Sequence, residues 1–313
     1  MKATIYLCFF TTLFVFYQQP RQNYLFYAIL STLAFIKKSL MQAYTNIQAL
    51  IIDMDGVLWE GNNALAGLND FFNLLRQQKR PFILATNNAS LTQDQYISKF
   101  LSMGVSISAD EILTSSMATA HYLSEQVDPT STQVLVIGED GLRQPLIDKG
   151  FILINSPYNK QSKPADFVIC GLDRNLSWDK LAEASLHISA GAKFIATNAD
   201  TTLPTERGPV VGNGAILAAL EAATQTKAMV IGKPEAIMYQ QAIKILGVKP
   251  EHTIAIGDRL NTDILGAVNT GIRSIMVLTG ISKKEDLSTI DYQPTWILAD
   301  LPAVIRILRT ANE

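Results

Sequence analysis

The chain has 313 residues, which exceeds one modal domain, suits two, and provides ample material for a buried apolar core. Its formal net charge of −2 at pH 7, without a basic run or an acidic tail, argues against nucleic acid as a partner and favours a small molecule. The two cysteines, Cys8 and Cys170, form neither a metal-ligand spacing nor a disulfide framework, so they favour a reducing compartment.

The first 45 residues form an apolar N-terminal extension. Residues 3–17 and 25–36 are apolar, a polar stretch separates them, and two lysines follow. Each run is shorter than the ~20 residues that a membrane-spanning helix needs. Three interpretations stay open: translation that starts at Met41, a membrane anchor with the lysines on the cytoplasmic side, or a secretory signal without a clear cleavage site. We expect a cytoplasmic enzyme, in contact with a membrane only if residues 1–40 are an anchor.

Two carboxylates follow the first strand of the remaining chain. The four apolar residues 49–52 are typical of a buried parallel strand, and Asp53 and Asp55 come at its carboxyl end, where open α/β sheets bind ligands. Residues i and i+2 of a strand point the same way, and Gly56 permits a sharp reversal of the chain. Two like charges so close together require a cation such as Mg²⁺. The alternative is a solvated acidic turn.

Three further apolar strands are also followed by polar side chains. We expect parallel strands to deliver these groups to the same crevice, because their carboxyl ends share one edge of a sheet. Hydroxyl, amide, ammonium and carboxylate groups together predict a site that handles phosphate. The groups are Thr86, Asn87 and Asn88 after residues 81–85, Lys233 after residues 229–232, and Asp258 and Asp263 after residues 253–257.

The chain between the second and third of these strands predicts a separate domain. Residues 133–138, 165–171 and 193–197 are typical strands, and helical stretches such as 178–190 alternate with them. We therefore divide the chain into the extension 1–45, a core of residues 46–126 and 228–313, and an inserted α/β cap of residues 127–227. Three cap residues on loops, Asn198, Asp200 and Asn213, are candidate contacts for the part of a substrate beyond its phosphate, or merely turn formers. We interpret the scattered His121, His187 and His252 as structural.

The motifs Asp-x-Asp-Gly, Thr-Asn-Asn, Gly-Lys-Pro and Gly-Asp-x-x-x-x-Asp occur in this order. Over about residues 46–300 the chain resembles the hydrolases of the haloacid dehalogenase (HAD) superfamily, and most closely subfamily IIA, the NagD-like and 4-nitrophenylphosphatase-like group. The resemblance implies an α/β fold: a Rossmann-like core with a parallel sheet and an inserted cap of type C2a. It also implies a Mg²⁺-dependent phosphatase for small phosphorylated metabolites, such as a nucleotide monophosphate, phosphoglycolate or pyridoxal phosphate, with 4-nitrophenyl phosphate as a substrate in vitro.

The resemblance also implies a role for each motif residue. The reaction would pass through an aspartyl-phosphate intermediate, which divides one difficult hydrolysis into two steps. The implied roles are Asp53 as nucleophile, Asp55 as acid and base, Thr86 and Lys233 as partners of the phosphoryl oxygens, Asn87 and Asn88 as lining of the same loop, Asp53, the Asp55 carbonyl and Asp258 as Mg²⁺ ligands, and Asp263 as a support for the metal waters or for Lys233.

Other functions with the same groups stay open. A phosphosugar mutase of the same superfamily would produce an isomeric sugar phosphate, and a binding protein would retain the fold without turnover. A phospho-acceptor domain of the receiver type is disfavoured by the large insertion between Thr86 and Lys233 and by the position of Asp258 after that lysine. The expected partner is a small phosphate ester, and assembly into a homo-oligomer is an open expectation.

Overall fold

A computed structural model describes residues 46–155, 157–161, 163–203 and 207–310. The three interpretations of the N-terminal extension therefore lie outside the described residues. Within the described ranges, no helix combines the length and the apolar character that crossing a membrane requires.

The strands and helices of the described chain are numbered here in chain order. The strands are β1 (Ala49–Ile52), β2 (Trp59–Glu60), β3 (Asn63–Ala64), β4 (Phe82–Thr86), β5 (Ile112–Thr114), β6 (Gln133–Ile137), β7 (Ile152–Ile154), β8 (Phe167–Cys170), β9 (Lys193–Ala196), β10 (Thr202–Leu203), β11 (Val210–Val211), β12 (Met229–Val230), β13 (Thr253–Gly257), β14 (Arg273–Val277) and β15 (Trp296–Leu298). The α-helices are α1 (Leu68–Gln77), α2 (Gln93–Ser102), α3 (Ser115–Ser124), α4 (Asp140–Asp148), α5 (Trp178–Ser189), α6 (Asn213–Thr224), α7 (Ala236–Leu246), α8 (Leu265–Thr270) and α9 (Leu301–Thr310).

The first sheet is parallel and has six strands in the order β15-β14-β13-β1-β4-β5. All four residues of β1 are buried, as its unbroken apolar sequence predicted. From β1 the chain adds β4 and β5 on one side and later β13, β14 and β15 on the other. The end of β1 is thus a topological switch point, the place where open α/β sheets bind ligands.

The second sheet is also parallel and has five strands in the order β12-β9-β8-β6-β7. Helices α5 and α6 cover one face, where Ala184, Ile188 and Leu217 join a cluster with Val168 and Phe194. The fold class is therefore confirmed: a Rossmann-like parallel core carries an inserted α/β cap.

The strand before Lys233 does not lie in the expected sheet. Met229 of β12 pairs with Ile195 of β9, and Ile231 continues the ladder by donating its N–H to the Ala196 carbonyl at 3.0 Å. The segment that begins at residue 228 was expected in the core, but its strand belongs to the sheet of the cap. Short apolar runs do not reveal which distant strand will pair with them, because pairing depends on long-range contacts. The other domain bounds stay predictions.

Candidate active site

Two carboxylates lie just past the end of β1, at the switch point of the first sheet. Asp53 and Asp55 both line a cavity of about 290 Å³, as their i, i+2 spacing predicted. Gly56 has a φ of 81°, a left-handed conformation that glycine adopts without steric cost. A Cβ at this position would lie 2.7 Å from Oδ2 of Asp258. Glycine thus permits both the turn and the close approach of a third carboxylate.

Lys233 is the buried cation of the site, with a side chain that is only 3% exposed. Its Nζ donates to Oδ1 of Asp53 at 2.5 Å, to Oδ1 of Asp263 at 2.6 Å and to the Ala85 carbonyl at 3.0 Å. These three acceptors match the three N–H donors of an ammonium group. Burial alone would lower the pKa of Lys233, but the carboxylates of Asp263 and Asp53 outweigh it and hold this pKa well above its ordinary value. Lys233 therefore stays charged.

The charged groups around Asp53 carry more negative than positive charge. Burial raises the pKa of Asp53 well above its ordinary value; Lys233 opposes this rise, while Asp263 and Asp258 add to it. One ammonium group thus faces three carboxylates. A bound cation would restore the balance and favour the ionised form of Asp53.

Asp258 and Asp263 are held differently at the carboxyl end of β13. Oδ2 of Asp258 accepts the N–H of Ile281 at 2.7 Å, whereas its buried Oδ1 has no hydrogen-bond partner in the described part of the chain. Burial raises the pKa of Asp258 to about 6. Asp263 uses both oxygens, one for Lys233 and the other for the N–H of Arg259 at 3.0 Å. Asp258 therefore has a free oxygen for a ligand, and Asp263 does not.

These carboxylates fit a divalent cation. Ligand oxygens of Asp53, Asp258 and Asp263 all lie within 4.8 Å of one another. A buried, unpartnered carboxylate oxygen is costly unless something satisfies it, and hard divalent cations bind carboxylate oxygens. Asp258 has a free oxygen, whereas both oxygens of Asp263 are engaged, so Asp53 and Asp258 are the better ligands of the three.

The Thr86, Asn87 and Asn88 segment leaves β4 on the same edge of the sheet. Oγ1 of Thr86 accepts the N–H of Asn88 at 3.0 Å. Oδ1 of Asn88 accepts the N–H and hydroxyl of Ser90 at 3.1 and 2.7 Å. All three residues line the cavity with Lys233. The structure therefore brings the predicted core residues together.

The three candidate cap residues also line this cavity, but the side-chain amides of two of them donate hydrogen bonds to backbone carbonyls of the protein. Nδ2 of Asn198 donates to the Asn87 carbonyl at 2.9 Å, and Nδ2 of Asn213 donates to the Asn198 carbonyl at 2.6 Å. Both side chains are buried. The Asn198 bond joins the cap loop after β9 to the core loop after β4, whereas the Asn213 bond joins two segments of the cap. Oδ2 of Asp200 accepts from Nδ2 of Asn87 at 3.2 Å, and burial raises the pKa of Asp200. Of the three, only Asp200 presents an ionisable group.

Sequence reasoning missed three residues at or beside the cavity. Arg174 and Arg259 line it, the first from the loop after β8 and the second directly after Asp258. Trp59 donates its indole N–H to Oδ1 of Asp55 at 2.8 Å. Arg259 and Trp59 adjoin recognised motifs and could have been noticed for that reason. No sequence signal marks Arg174.

Comparison with known proteins was consistent across sequence and structure. A family model described as haloacid dehalogenase-like hydrolase matches residues 50–152, and a second, HAD-hydrolase-like model matches residues 230–304. An acid sugar phosphatase of Staphylococcus saprophyticus is 36% identical over 263 residues, which are 84% of this chain and 98% of that protein. The 5'-nucleotidase YutF of Bacillus subtilis is 35% identical over 251 residues, 80% of this chain and 94% of that protein. The crystal structure of a 4-nitrophenylphosphatase from Thermotoga maritima superimposes with a TM-score of 0.78 at 31% identity, covering 85% of this chain and 99% of that one.

Proposed function

The chain belongs to the haloacid dehalogenase-like hydrolases and is a phosphoric monoester hydrolase. On this premise we propose that it uses Mg²⁺ to hydrolyse small phosphorylated metabolites. The reaction would pass through an aspartyl-phosphate at Asp53. One observation carries the proposal: Asp53 contacts the buried ammonium of Lys233, beside a buried oxygen of Asp258 that has no partner in the described chain. This arrangement provides a nucleophile, a fixed positive charge and a carboxylate oxygen that suits a metal ion.

The reaction has two steps. In the first, a carboxylate oxygen of Asp53 attacks phosphorus, an O–P bond forms, and the bond from phosphorus to the ester oxygen breaks. Asp55 gives its proton to that oxygen, so the alcohol leaves neutral. In the second, Asp55 takes a proton from a water molecule, whose oxygen attacks phosphorus. The bond between phosphorus and the Asp53 oxygen breaks, inorganic phosphate is released, and the carboxylate of Asp53 is restored.

The charge on the transferring phosphoryl group needs fixed positive partners. Lys233 contacts Asp53, and its positive charge would act on the oxygens of a phosphoryl group placed in line with that carboxylate, while its three N–H donors keep their present acceptors. Thr86 lines the same cavity, and its hydroxyl would donate to a phosphoryl oxygen. Both side chains are buried, so their positions cost little reorganisation during the reaction.

Mg²⁺ would be held by Asp53, by the backbone carbonyl of Asp55 and by Asp258. When bound, it would cancel the repulsion between the attacking carboxylate and the phosphate. Asp263 would remain on Lys233 and the Arg259 N–H, because both of its oxygens are already engaged.

The leaving group would meet the cap side of the cavity. Leu172, Arg174, Asp200 and Thr202 line this part, and none of them is a core motif residue. The relatives named for sugar phosphate and nucleotide hydrolysis support small phosphate esters as the substrate class. We place the enzyme in the cytoplasm, in keeping with the paucity of cysteine.

A panel of phosphorylated metabolites tests the proposal. The purified protein, with Mg²⁺, should release inorganic phosphate continuously from several small esters and from 4-nitrophenyl phosphate, and Asp53→Asn should not. Formation of an isomeric sugar phosphate without free phosphate would indicate a mutase. A single stoichiometric phosphorylation without turnover would indicate a phospho-acceptor protein.

A further inference from the structure

Trp59 makes a directed contact with the carboxylate of Asp55. Its indole Nε1 donates to Oδ1 of Asp55 at 2.8 Å, and the ring is fully buried. Oδ2 of Asp55 accepts no hydrogen bond from any residue that the structure describes, while Asp55 lines the catalytic cavity. One oxygen of the carboxyl group is therefore fixed, and the other is left for the cavity.

The indole ring is itself held in place. Phe100 packs edge-on against Trp59 with ring centroids 4.8 Å apart. The Nζ of Lys99 lies 4.1 Å from the ring centroid and donates to the Gly61 carbonyl at 2.9 Å. The Trp59 carbonyl accepts the N–H of Gly56 at 2.8 Å, which ties the Trp59 backbone to the turn that carries Asp55. A cation over an aromatic face also withdraws electron density and makes the indole N–H a better donor.

We propose that Trp59 is a positioning residue that directs the proton of Asp55 to Oδ2, the oxygen free to face the leaving group. An indole N–H can only donate, and a carbonyl oxygen accepts better than a hydroxyl oxygen. The acid form of Asp55 is therefore favoured with its carbonyl oxygen on Trp59 and its hydroxyl on Oδ2. The proton then passes from Oδ2 to the ester oxygen as its bond to phosphorus breaks. This role rests on the phosphatase function proposed above.

Two variants of Trp59 and one packing control test the role. Trp59→Phe keeps an aromatic ring and removes the donor. Site-specific replacement of Trp59 by benzothienylalanine, in which sulfur takes the place of the N–H, keeps the shape of the indole and serves if Trp59→Phe does not fold. Phe100→Leu loosens the packing of Trp59 and keeps its N–H. Asp55→Asn sets the loss expected when the acid itself is removed.

The readout is kcat/KM on two esters, because this ratio covers the steps up to departure of the leaving group. A primary alkyl phosphate needs a proton on its leaving oxygen, and 4-nitrophenyl phosphate does not. Both Trp59 variants should lose at least ~10-fold on the alkyl ester and at most ~2-fold on the nitrophenyl ester. Phe100→Leu should change both esters by a common factor.

The outcomes separate the two proposals. Wild-type protein that hydrolyses neither ester would refute the phosphatase function. Wild-type activity on both esters, with an unchanged ratio in the benzothienylalanine protein, would refute the positioning role alone. A ratio change in Phe100→Leu as large as in Trp59→Phe would also refute it, because loosened packing would then account for the effect.

Discussion

The side chain of Asn87 pairs with the backbone of Lys233 in both directions. Its Oδ1 accepts the Lys233 N–H at 2.8 Å, and its Nδ2 donates to the Lys233 carbonyl at 2.8 Å. Asn87 follows a strand of the core sheet, whereas Lys233 follows β12 of the cap sheet. The pair therefore fixes Lys233, the lysine that we propose acts on the phosphoryl group, to the core at the point where the chain leaves the cap.

Asn87→Ala should lower both stability and activity. Removing the amide leaves a buried N–H and a buried carbonyl of Lys233 unpaired, which costs about 1–3 kcal/mol for each group that finds no other partner. Urea unfolding and kcat measure the two effects. For stability, Asn88→Ala is the control, because among the described residues its side chain hydrogen-bonds with nearby Ser90 alone. An Asn87→Ala protein as stable as Asn88→Ala would show that the pair is dispensable.

Much of the site could be predicted because it depends on local rules. Asp53 and Asp55 share a direction through the two-residue period of a strand, and parallel strands bring Thr86 and Asp258 to the same edge. The cap strands β6, β8 and β9 lie within the predicted segments for the same reason: each is a continuous apolar run bounded by turn residues.

The remainder depends on contacts that no local pattern records. The runs that form β5, β14 and β15 carry no motif, and β12 joined the cap sheet through pairing with β9. Asn87 and Lys233 are separated by 146 positions. Trp59 is only four residues from Asp55, yet the direction of its indole depends on packing against Phe100.

Lys233→Met should strongly destabilise the protein in the absence of metal. The substitution leaves the buried carboxylates of Asp53 and Asp263 without their shared cation, a loss of about 3–5 kcal/mol for a broken buried pair. Lys244→Met is the matched control, since Lys244 forms an ion pair with Glu125 but its side chain is 69% exposed. The control should lose at most about 1 kcal/mol. Equal losses in urea unfolding with a chelator present would contradict the account.

Mg²⁺ should stabilise the wild-type protein and be required for turnover. Chelation should abolish phosphate release, and Mg²⁺ should restore it, while Ca²⁺ should restore it poorly because its looser coordination misplaces the line of attack. Millimolar Mg²⁺ should raise the melting temperature of the wild type and of the surface variant Asp110→Ala, but not of Asp258→Ala. An equal rise in Asp258→Ala would exclude this carboxylate as a ligand.

His187 should make the stability of the cap depend on pH. Its Nδ1 accepts the N–H of Ala165 at 2.9 Å and so carries no proton, and burial lowers the pKa of His187 despite the nearby Glu183. In the unfolded chain His187 has an ordinary pKa of about 6.5, so it binds a proton at a pH at which the folded protein does not. Stability should therefore fall as the pH falls below about 6.5. In His187→Gln, the free energy of unfolding measured with urea should fall less between about pH 7.5 and about pH 5 than it does in the wild type. An identical dependence on pH in the two proteins would count against the assignment.

The most direct test of the account is to locate the phosphoryl group on the enzyme during turnover. Protein mixed with a phosphate ester and Mg²⁺, quenched in acid within one turnover and digested, should carry a phosphoryl group on Asp53, detected by mass spectrometry and lost on mild alkaline treatment. Asp53→Asn should carry none, and its kcat should be at least ~10³-fold lower. A phosphoryl group on another residue, or near-wild-type turnover by Asp53→Asn, would contradict the central claim.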